Sequence, residues 1–536
     1  GKPPSSLSTQ SSGETEEEVI HLDLLLVNAP SRSGVYGAFA PLSAVEPPVW
    51  AGLIARYCLK RGFNVQILDA EAEDLTAGMT AARIVEARSR LTAFCIYGHQ
   101  PSASTQCLPM AAQVCREAKA LANDIGISLP TLALGTHPSA LPERTLREEP
   151  FDYVCQGEGP HSIVTLLNLL KADVIPSGIS RLPGLFYRKG MTPLSVANIS
   201  DLDTELPGQA WELLDLKRYR AHNWHLWTGD QAGGYASVQT SLGCVFKCQF
   251  CCIQAPFGDA NPRMRYWSAE NVADQITALV RDYNIRNIKI PDEMFCFNRA
   301  HVKAICNGLI ERGLGERLNI WAYARVDTVK DEEMLDLMRR AGFRWLGIGV
   351  ESASKHVRDG VEKGRFGNEE IIAAVRRVQN VGINVAANYI FGLPDDTRES
   401  CAETLSLACE LNTEMANFYC AMAYPGSPLH RQITDSRATQ LHTPEQAMMA
   451  WQRLPEDPGG PGWIGYSQHA YESRPLATDT LDYEEILDIR DEAWMAYFTR
   501  PEYVKMMWMK FGENVVRQIE HMTSFGKPKR NHRSQG

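Results

Sequence analysis

The chain has 536 residues and a formal net charge of −10, with 44% hydrophobic and 22% charged residues. That length allows roughly two to four domains with large cores. The acidic balance excludes a general pull toward nucleic acid or an anionic membrane surface, and no run of about 18 or more apolar residues offers a membrane span. Fourteen cysteines, scattered singly, fit a reducing cytoplasm better than a disulfide framework.

Residues 1–19 are rich in Ser, Pro, Thr and Glu and read as disordered, without the basic start and apolar stretch of a signal peptide. Over 20–171, apolar runs ending in polar turns alternate with amphipathic stretches. The strands expected are His21–Asn28, Phe63–Asp69, Leu91–Tyr97, Pro130–Leu134 and a run from Tyr153. The helices expected are Val49–Arg61, Thr80–Ser89, Thr105–Ala122, Pro142–Glu148 and Ser162–Leu170. Such β–α alternation predicts a doubly wound, Rossmann-like parallel sheet, whose ligands sit beyond the carboxyl ends of its strands. Those ends carry Asn28, Asp69, Gly98-His99, Gly135-Thr136-His137 and Gly157-Glu158. No G-x-G-x-x-G follows the first strand, which argues against a dinucleotide site.

Residues 172–232 read as a linker. It holds a hairpin from Gly184 with Lys189-Gly190 at its turn, then an aromatic and imidazole cluster, Ala221–Trp227, expected to pack between domains. A short strand, Tyr235–Thr240, leads into Cys244-x3-Cys248-x2-Cys251. Gly243 and Lys247 favour a loop over three thiols in a core strand. A loop this tight can aim three soft thiolate ligands at an iron–sulfur cluster or at zinc. Three ligands leave a fourth position open. Cys252 is adjacent to Cys251 and would point away from it.

Strands and helices then alternate again: helix Ala269–Tyr283, strand Asn287–Pro291, helix Arg299–Arg312, strand Asn319–Arg325, helix Asp331–Ala341, strand Trp345–Glu351, helix Asn368–Val381, strand Asn384–Phe391, helix Ser400–Leu411 and strand Asn417–Ala421. The pattern over 233–430 predicts a partial (β/α)6 TIM-type barrel with its active residues at the strand C-termini. Asp292, Glu293, Arg325 and Glu351 fall there. Each acid alone could be a helix N-terminal charge, but all of them share one barrel end. Residues 431–525 read as a mostly helical cap, with helices Tyr483–Tyr497 and Pro501–Met522, and 526–536 as a basic tail.

The cysteine spacing resembles that of the radical SAM superfamily. The resemblance implies a [4Fe–4S] cluster on Cys244, Cys248 and Cys251, whose fourth iron chelates S-adenosylmethionine (SAM). It further implies Phe250 against adenine, Asp292 and Glu293 on the methionine amino group, and Arg325 on the carboxylate. Glu351 and Ser352 would meet the ribose, and Gly392 to Pro394 the adenine. The strings Gly135-Thr-His-Pro-Ser-Ala-Leu-Pro-Glu143 and Asp152-Tyr-Val-Cys-Gln-Gly-Glu-Gly159 resemble the cobalamin-binding domain that precedes many radical SAM domains. A corrin would then lie on the strand ends, at Asn28, Asp69, Gly98, His99, Gly135, Thr136, His137, Gly157 and Glu158, with its nucleotide tail near the Gly135 loop. The Asp-x-His-x-x-Gly motif is absent. The resemblance therefore implies a lower cobalt face that is unligated or water-bound, with His99 and His137 on suitable loops.

Together these strings, over residues 20 to about 430, are similar to the cobalamin-dependent (class B) radical SAM methyltransferases. They imply methyl transfer to an unactivated carbon and an external one-electron reductant, flavodoxin- or ferredoxin-like. The alternatives are a cobalamin-containing cyclase or rearrangement enzyme, or a non-catalytic cobalamin or iron–sulfur sensor. A methylthiotransferase is disfavoured, for want of an N-terminal cysteine triad and a C-terminal nucleic-acid-binding module. An auxiliary-cluster maturase is disfavoured because Cys401, Cys409 and Cys420 lack ligand spacing. No residue pattern distinguishes a metabolite, peptide, lipid or sugar as substrate.

Overall fold

The computed structural model describes residues 22–98, 100–174, 181–188, 193–229, 233–258, 262–440 and 454–525. His99, the Lys189-Gly190 turn and the two terminal segments expected as tails lie outside the described residues.

The first sheet runs β2-β1-β3-β4-β5-β6, with β1 Leu24–Asn28, β2 Val65–Asp69, β3 Leu91–Ile96, β4 Thr131–Gly135, β5 Tyr153–Cys155 and β6 Leu185–Tyr187. Its first five strands are mutually parallel. All six residues of β3 are buried, as a central strand covered by helices on both faces requires. The expected alternation is present, with element ends shifted by a few residues. The linker differs from expectation: the described part of its hairpin, β6, pairs antiparallel with β5 and extends this sheet. The three-residue β5 would otherwise leave an open edge. Two short helical turns, Arg32–Tyr36 and Gly37–Leu42, follow β1 and are too short to show a period.

The second sheet, β14-β13-β12-β11-β10-β7, is parallel throughout. Its strands are β7 Gly234–Ser237, β10 Ile285–Ile290, β11 Asn319–Arg325, β12 Phe343–Glu351, β13 Asn384–Phe391 and β14 Met415–Cys420. This is the expected partial barrel. Between β7 and β10 a small antiparallel pair forms, β8 Ser241–Leu242 with β9 Arg265–Tyr266.

The linker cluster plugs the N-terminal end of the half-barrel. His225 Nε2–H donates to the Asn319 carbonyl at 2.8 Å, and Asn319 Nδ2 donates to the His225 carbonyl at 2.9 Å. Trp224 sets its ring edge-on against Trp321 and Trp345, at 5.1 and 5.0 Å. The C-terminal region departs from expectation in two ways. Pro501–Met522 is two helices, Pro501–Phe511 and Glu513–Ser524. Gly512 separates them at φ +85°, a backbone state that no α-helix contains. The cap also reaches the first sheet, where Trp463 and Tyr466 complete the core on one face, while helix Tyr483–Phe498 packs on β14.

Buried polar links join the two sheets. Arg265 of β9 pairs with Glu158 and also donates to the Ile199 carbonyl. Lys289 of β10 reaches Glu46 at 2.8 Å. Tyr219, in the linker, donates its O–H to Asp69 of β2 at 2.7 Å and so ties the linker to the first sheet.

His225 gives a pH test. Burial, aided by His222 and Lys289 and opposed by the Asn319 hydrogen bond and Glu46, pushes its imidazole down to about 3. The unfolded chain takes up this proton near pH ~6.5. Its neutral burial therefore contributes fully above that pH and loses up to ~1.4 kcal/mol per pH unit as pH falls toward 3. His225→Gln is expected to melt below the parent at neutral pH, and the gap between the two melting temperatures is expected to narrow on acidification to about pH 5.

Candidate active site

The cysteine loop is clamped at both ends. Pairing of β8 with β9 closes its base. Within it, Gln254 Nε2 donates to the carbonyls of Cys244 at 2.7 Å and Phe246 at 3.3 Å. The Gln249 N–H donates to the Val361 carbonyl at 3.0 Å, and the Gln249 carbonyl accepts from Leu429 N–H at 2.8 Å, so neighbouring loops fix its far side.

Cys244, Cys248 and Cys251 all border one cavity of about 480 Å³ between the two sheets and the C-terminal helices. Ile253, Met294 and Phe246 pack around Cys244 and Cys251. Burial pushes the Cys244 thiol up to about 11 and Cys251 well above the usual thiol range. Buried thiols of this kind ionise when a cationic iron centre supplies the missing charge. A single ion requires its ligands to converge, and among the described residues no three His, Cys, Asp or Glu side chains do so. A cubane would bind each of the three thiolates at a separate iron corner. Backbone N–H of Phe246 points at Cys244 Sγ, at 3.5 Å, and Arg325 Nη1 at Cys248 Sγ, at 3.8 Å, the kind of contacts that tune a bound cluster. Cys252 also borders the cavity and is buried.

The acids at the strand ends divide into two kinds. Asp292 is buried and accepts three bonds: from Thr240 N–H at 2.9 Å, Thr240 O–H at 2.6 Å and Ser241 O–H at 2.6 Å. It ties the end of β10 to the chain entering the cysteine loop and does not border the cavity. This clasp also explains why β7 stops at Ser237, short of the expected Thr240. Glu293 does border the cavity, and burial pushes its carboxyl up to about 7, against the pull of Lys289 and Lys363. Glu351 holds φ +66° where the β12–β13 register slips. Such strain in a non-glycine residue is found where the side chain must be aimed.

Arg325, expected to meet a SAM carboxylate, borders the cavity. It forms a two-point contact with Asp327, at 3.1 and 3.3 Å, donates to the Lys363 carbonyl, and stacks over Phe246 at 3.9 Å. The cation that reaches into the cavity beside Glu351 is Lys363, at 2.5 Å, with its ammonium 6.0 Å from the Phe250 ring centre. Nothing in the sequence singled it out: it lies in an irregular loop, and only the turn after Lys355–Gly360 brings it back over β12.

Phe250 borders the cavity and packs on Val357, Val361, Leu393 and Ile390. Ser352, Gly392 and Pro394 do not border it. Ser352 is buried and hydrogen-bonds Thr404 at 3.3 Å, and Ile486 of the C-terminal helix covers Gly392.

On the first sheet, Asn28, Gly98 and Thr136 border a second cavity of about 120 Å³, facing Ser241, Pro291 and Glu293 of the half-barrel. Gln100, Ile253 and Glu293 border both cavities. The other expected strand-end residues turn elsewhere. Asp69 is saturated by Asn28, Ala72 and Tyr219. Glu158 is spent on Arg265 and Ile199 N–H. His137 is buried against Trp463, with Nδ1 3.1 Å from Thr105 Oγ1. Gly157 N–H bonds Ser139. At Gly135, φ is +142° and any Cβ would collide with the Ile96 carbonyl, so only glycine lets β4 turn there. Fold and site thus define a protein with a Rossmann-like sheet laid against a three-cysteine half-barrel.

The model for the radical SAM superfamily matches residues 238–408, and that for the B12 binding domain matches residues 38–167. The three-cysteine half-barrel is therefore similar to the radical SAM superfamily, and the segment ahead of it to the B12 binding domain. The chain is 28% identical over 416 residues to an uncharacterised methyltransferase of Pyrococcus horikoshii, covering 76% of this chain and 82% of that protein. It is 24% identical to the anaerobic magnesium-protoporphyrin IX monomethyl ester cyclase of Cereibacter sphaeroides, over 74% of this chain and 62% of that one. Among solved structures, the cobalamin-dependent SAM radical enzyme OxsB with aqua-cobalamin and SAM bound superposes with a TM-score of 0.66. That match covers 94% of this chain and 72% of the other at 17% identity, a likeness of fold.

The Asp292 clasp is testable apart from any chemistry. Asp292→Ala strands the Thr240 N–H and two hydroxyls in a dry site, a loss of about 3 kcal/mol. A lower melting temperature and faster amide hydrogen exchange over 240–266 are expected, and exchange unchanged in that segment would refute the clasp.

Proposed function

We propose that this protein is a cobalamin-dependent radical SAM methyltransferase acting on an unactivated carbon. The observation that carries the reading is a shared space: three cysteines, Glu293, Glu351 and Lys363 border one cavity, and Glu293 also borders the cavity at the strand ends of the B12-binding domain. Bound cofactors would supply the hard chemistry, one electron from a [4Fe–4S] cluster to SAM and a transferable methyl group from cobalamin.

The chain's part is binding, orientation and exclusion of water. Cys244, Cys248 and Cys251 would hold the cluster and leave one iron open. Glu293, which makes no hydrogen bond to a described residue, would accept from the SAM ammonium. Lys363, whose ammonium reaches into the cavity beside Phe250, would pair with the SAM carboxylate, with Arg325 on the same cavity wall. Phe250 and its apolar neighbours would flank the adenine. Trp224, Trp227, Trp494 and Met522 close the walls of the same space, which keeps a reactive carbon centre from solvent.

Anaerobic protein reconstituted with iron, sulfide and cobalamin is expected to show both iron–sulfur and corrin absorption, and to form 5′-deoxyadenosine from SAM when reduced. Absence of 5′-deoxyadenosine would refute the enzyme reading. A second reading, a cyclase, is favoured by the similarity to the anaerobic cyclases. Stoichiometry separates the two: methyl transfer consumes two SAM per product and adds about 14 mass units. Lys363→Met is expected to weaken SAM binding by about tenfold to a hundredfold in equilibrium dialysis while iron content stays that of the parent. Unchanged SAM affinity would return the carboxylate to another group.

A further inference from the structure

One wall of the central cavity is built from two segments that carry neither the cysteines nor the strand ends. One is the pair of short turns after β1, with Tyr36 and Phe39; the other is the C-terminal segment, with His469, Trp494 and Met522. The two are locked together. Ser467 O–H donates to the Val35 carbonyl, and the backbone N–H of His469 donates to Ser467 Oγ at 3.2 Å. Gly37 holds φ +50°, and a Cβ there would meet the His469 carbonyl oxygen at 3.1 Å. The His469 ring stacks on Tyr36, with centres 6.0 Å apart, and tilts against Phe39 at 5.6 Å. Phe39 in turn meets Trp494 at 6.1 Å.

His469 is the polar exception on this apolar wall. It borders the cavity, and its ring nitrogens make no hydrogen bond to a described residue. Burial, aided by Arg490, pushes the imidazole down to about 3. It is therefore neutral near pH ~7 and offers one donor and one acceptor. A polar group held in place and left unpaired by its own chain is satisfied by what the cavity takes in.

The charged groups around the cavity are already spent. Glu293 and Lys363 are given to SAM in the reading above, and Glu351 lies against Lys363. Lys289 pairs with Glu46 at 2.8 Å, Arg325 with Asp327 at 3.1 Å and Arg490 with Asp491 at 2.7 Å. An anion placed against Tyr36, Phe39 and Trp494 would leave water without a counter-charge to receive it, which is costly.

We infer that the substrate is an uncharged, largely apolar ring compound, and that His469 reads a neutral hydroxyl, carbonyl or N–H group on it. The inference names the substrate class of the proposed site and rests on the assignment of Glu293 and Lys363 to SAM. Packed aromatic walls suit a flat apolar body, and one fixed imidazole sets how that body is turned toward the reacting centre.

The test is anaerobic equilibrium dialysis of the reconstituted full chain loaded with SAM and cobalamin. The probes are naphthol, methylnaphthalene and naphthoate, substituted at the same ring position, at about pH 7, where only the last is charged. Naphthol is expected to bind tightest, methylnaphthalene roughly tenfold weaker, and naphthoate roughly a hundredfold weaker or more. His469→Phe is expected to bring naphthol down to the level of methylnaphthalene and to leave methylnaphthalene within about twofold, with SAM affinity and iron content those of the parent. His469→Gln, which keeps a donor and an acceptor, is expected to restore most of the preference for naphthol. Naphthoate binding as tightly as naphthol, no uptake of naphthol, or a preference unchanged in His469→Phe would each overturn the inference. The two readings fail separately. Loss of this order of affinities in a chain that forms 5′-deoxyadenosine strikes the substrate class alone, whereas the same order in a chain that forms none supports the class and refutes the enzyme reading.

Discussion

Everything at the site depends on holding two strand-end surfaces face to face. The two sheets come from separate stretches of chain, and each presents its functional residues beyond the carboxyl ends of its strands. Glu46–Lys289 and Glu158–Arg265 cross between them while nearly excluded from solvent. Buried ion pairs of this kind add little net stability over apolar packing, but breaking one costs about 3–5 kcal/mol, because a charge is left without water or partner. They therefore penalise any sliding of the two surfaces more than they stabilise the docked state. Fixed spacing is what transfer between two cofactors requires.

The same logic acts on a smaller scale at Asp292. A carboxylate that could have faced the cavity is spent on Thr240 and Ser241. The cysteine loop is irregular, and an irregular loop gains precision only from outside contacts. The clasp, the β8–β9 pair and the Gln254 bonds supply them. Strain at Glu351 and the ion pair to Lys363 complete the rim. The C-terminal segment also has more than a covering role: Trp463 and Tyr466 build the first sheet's core, while Trp494 and Met522 wall the central cavity. A single stretch of chain thereby couples the stability of the B12-binding domain to the shape of the reaction space.

Much of this was legible from order along the chain. Alternating apolar runs and amphipathic stretches fixed both sheets, because parallel strands buried on two faces and helices buried on one leave different periods. Strands Asn319–Arg325 and Asn384–Phe391 fall where the sequence places them. The cysteine spacing was equally plain, since ligands from one short loop must be neighbours in sequence.

What the sequence could not determine was the direction of each side chain at a strand end. Asp292 and Glu293 are adjacent and chemically alike, yet one is a clasp and the other borders the cavity. Arg325 was legible at its strand end but Lys363 was not, because only the fold brings Lys363 to Glu351, as it brings Arg325 to Asp327. His137 and Glu158 look available on their loops, but Trp463 and Arg265, distant in sequence, consume them. Local pattern specifies which atoms a loop offers. Burial and pairing decide which of them stay free, because a polar group taken out of water must be satisfied by whatever the fold brings to it.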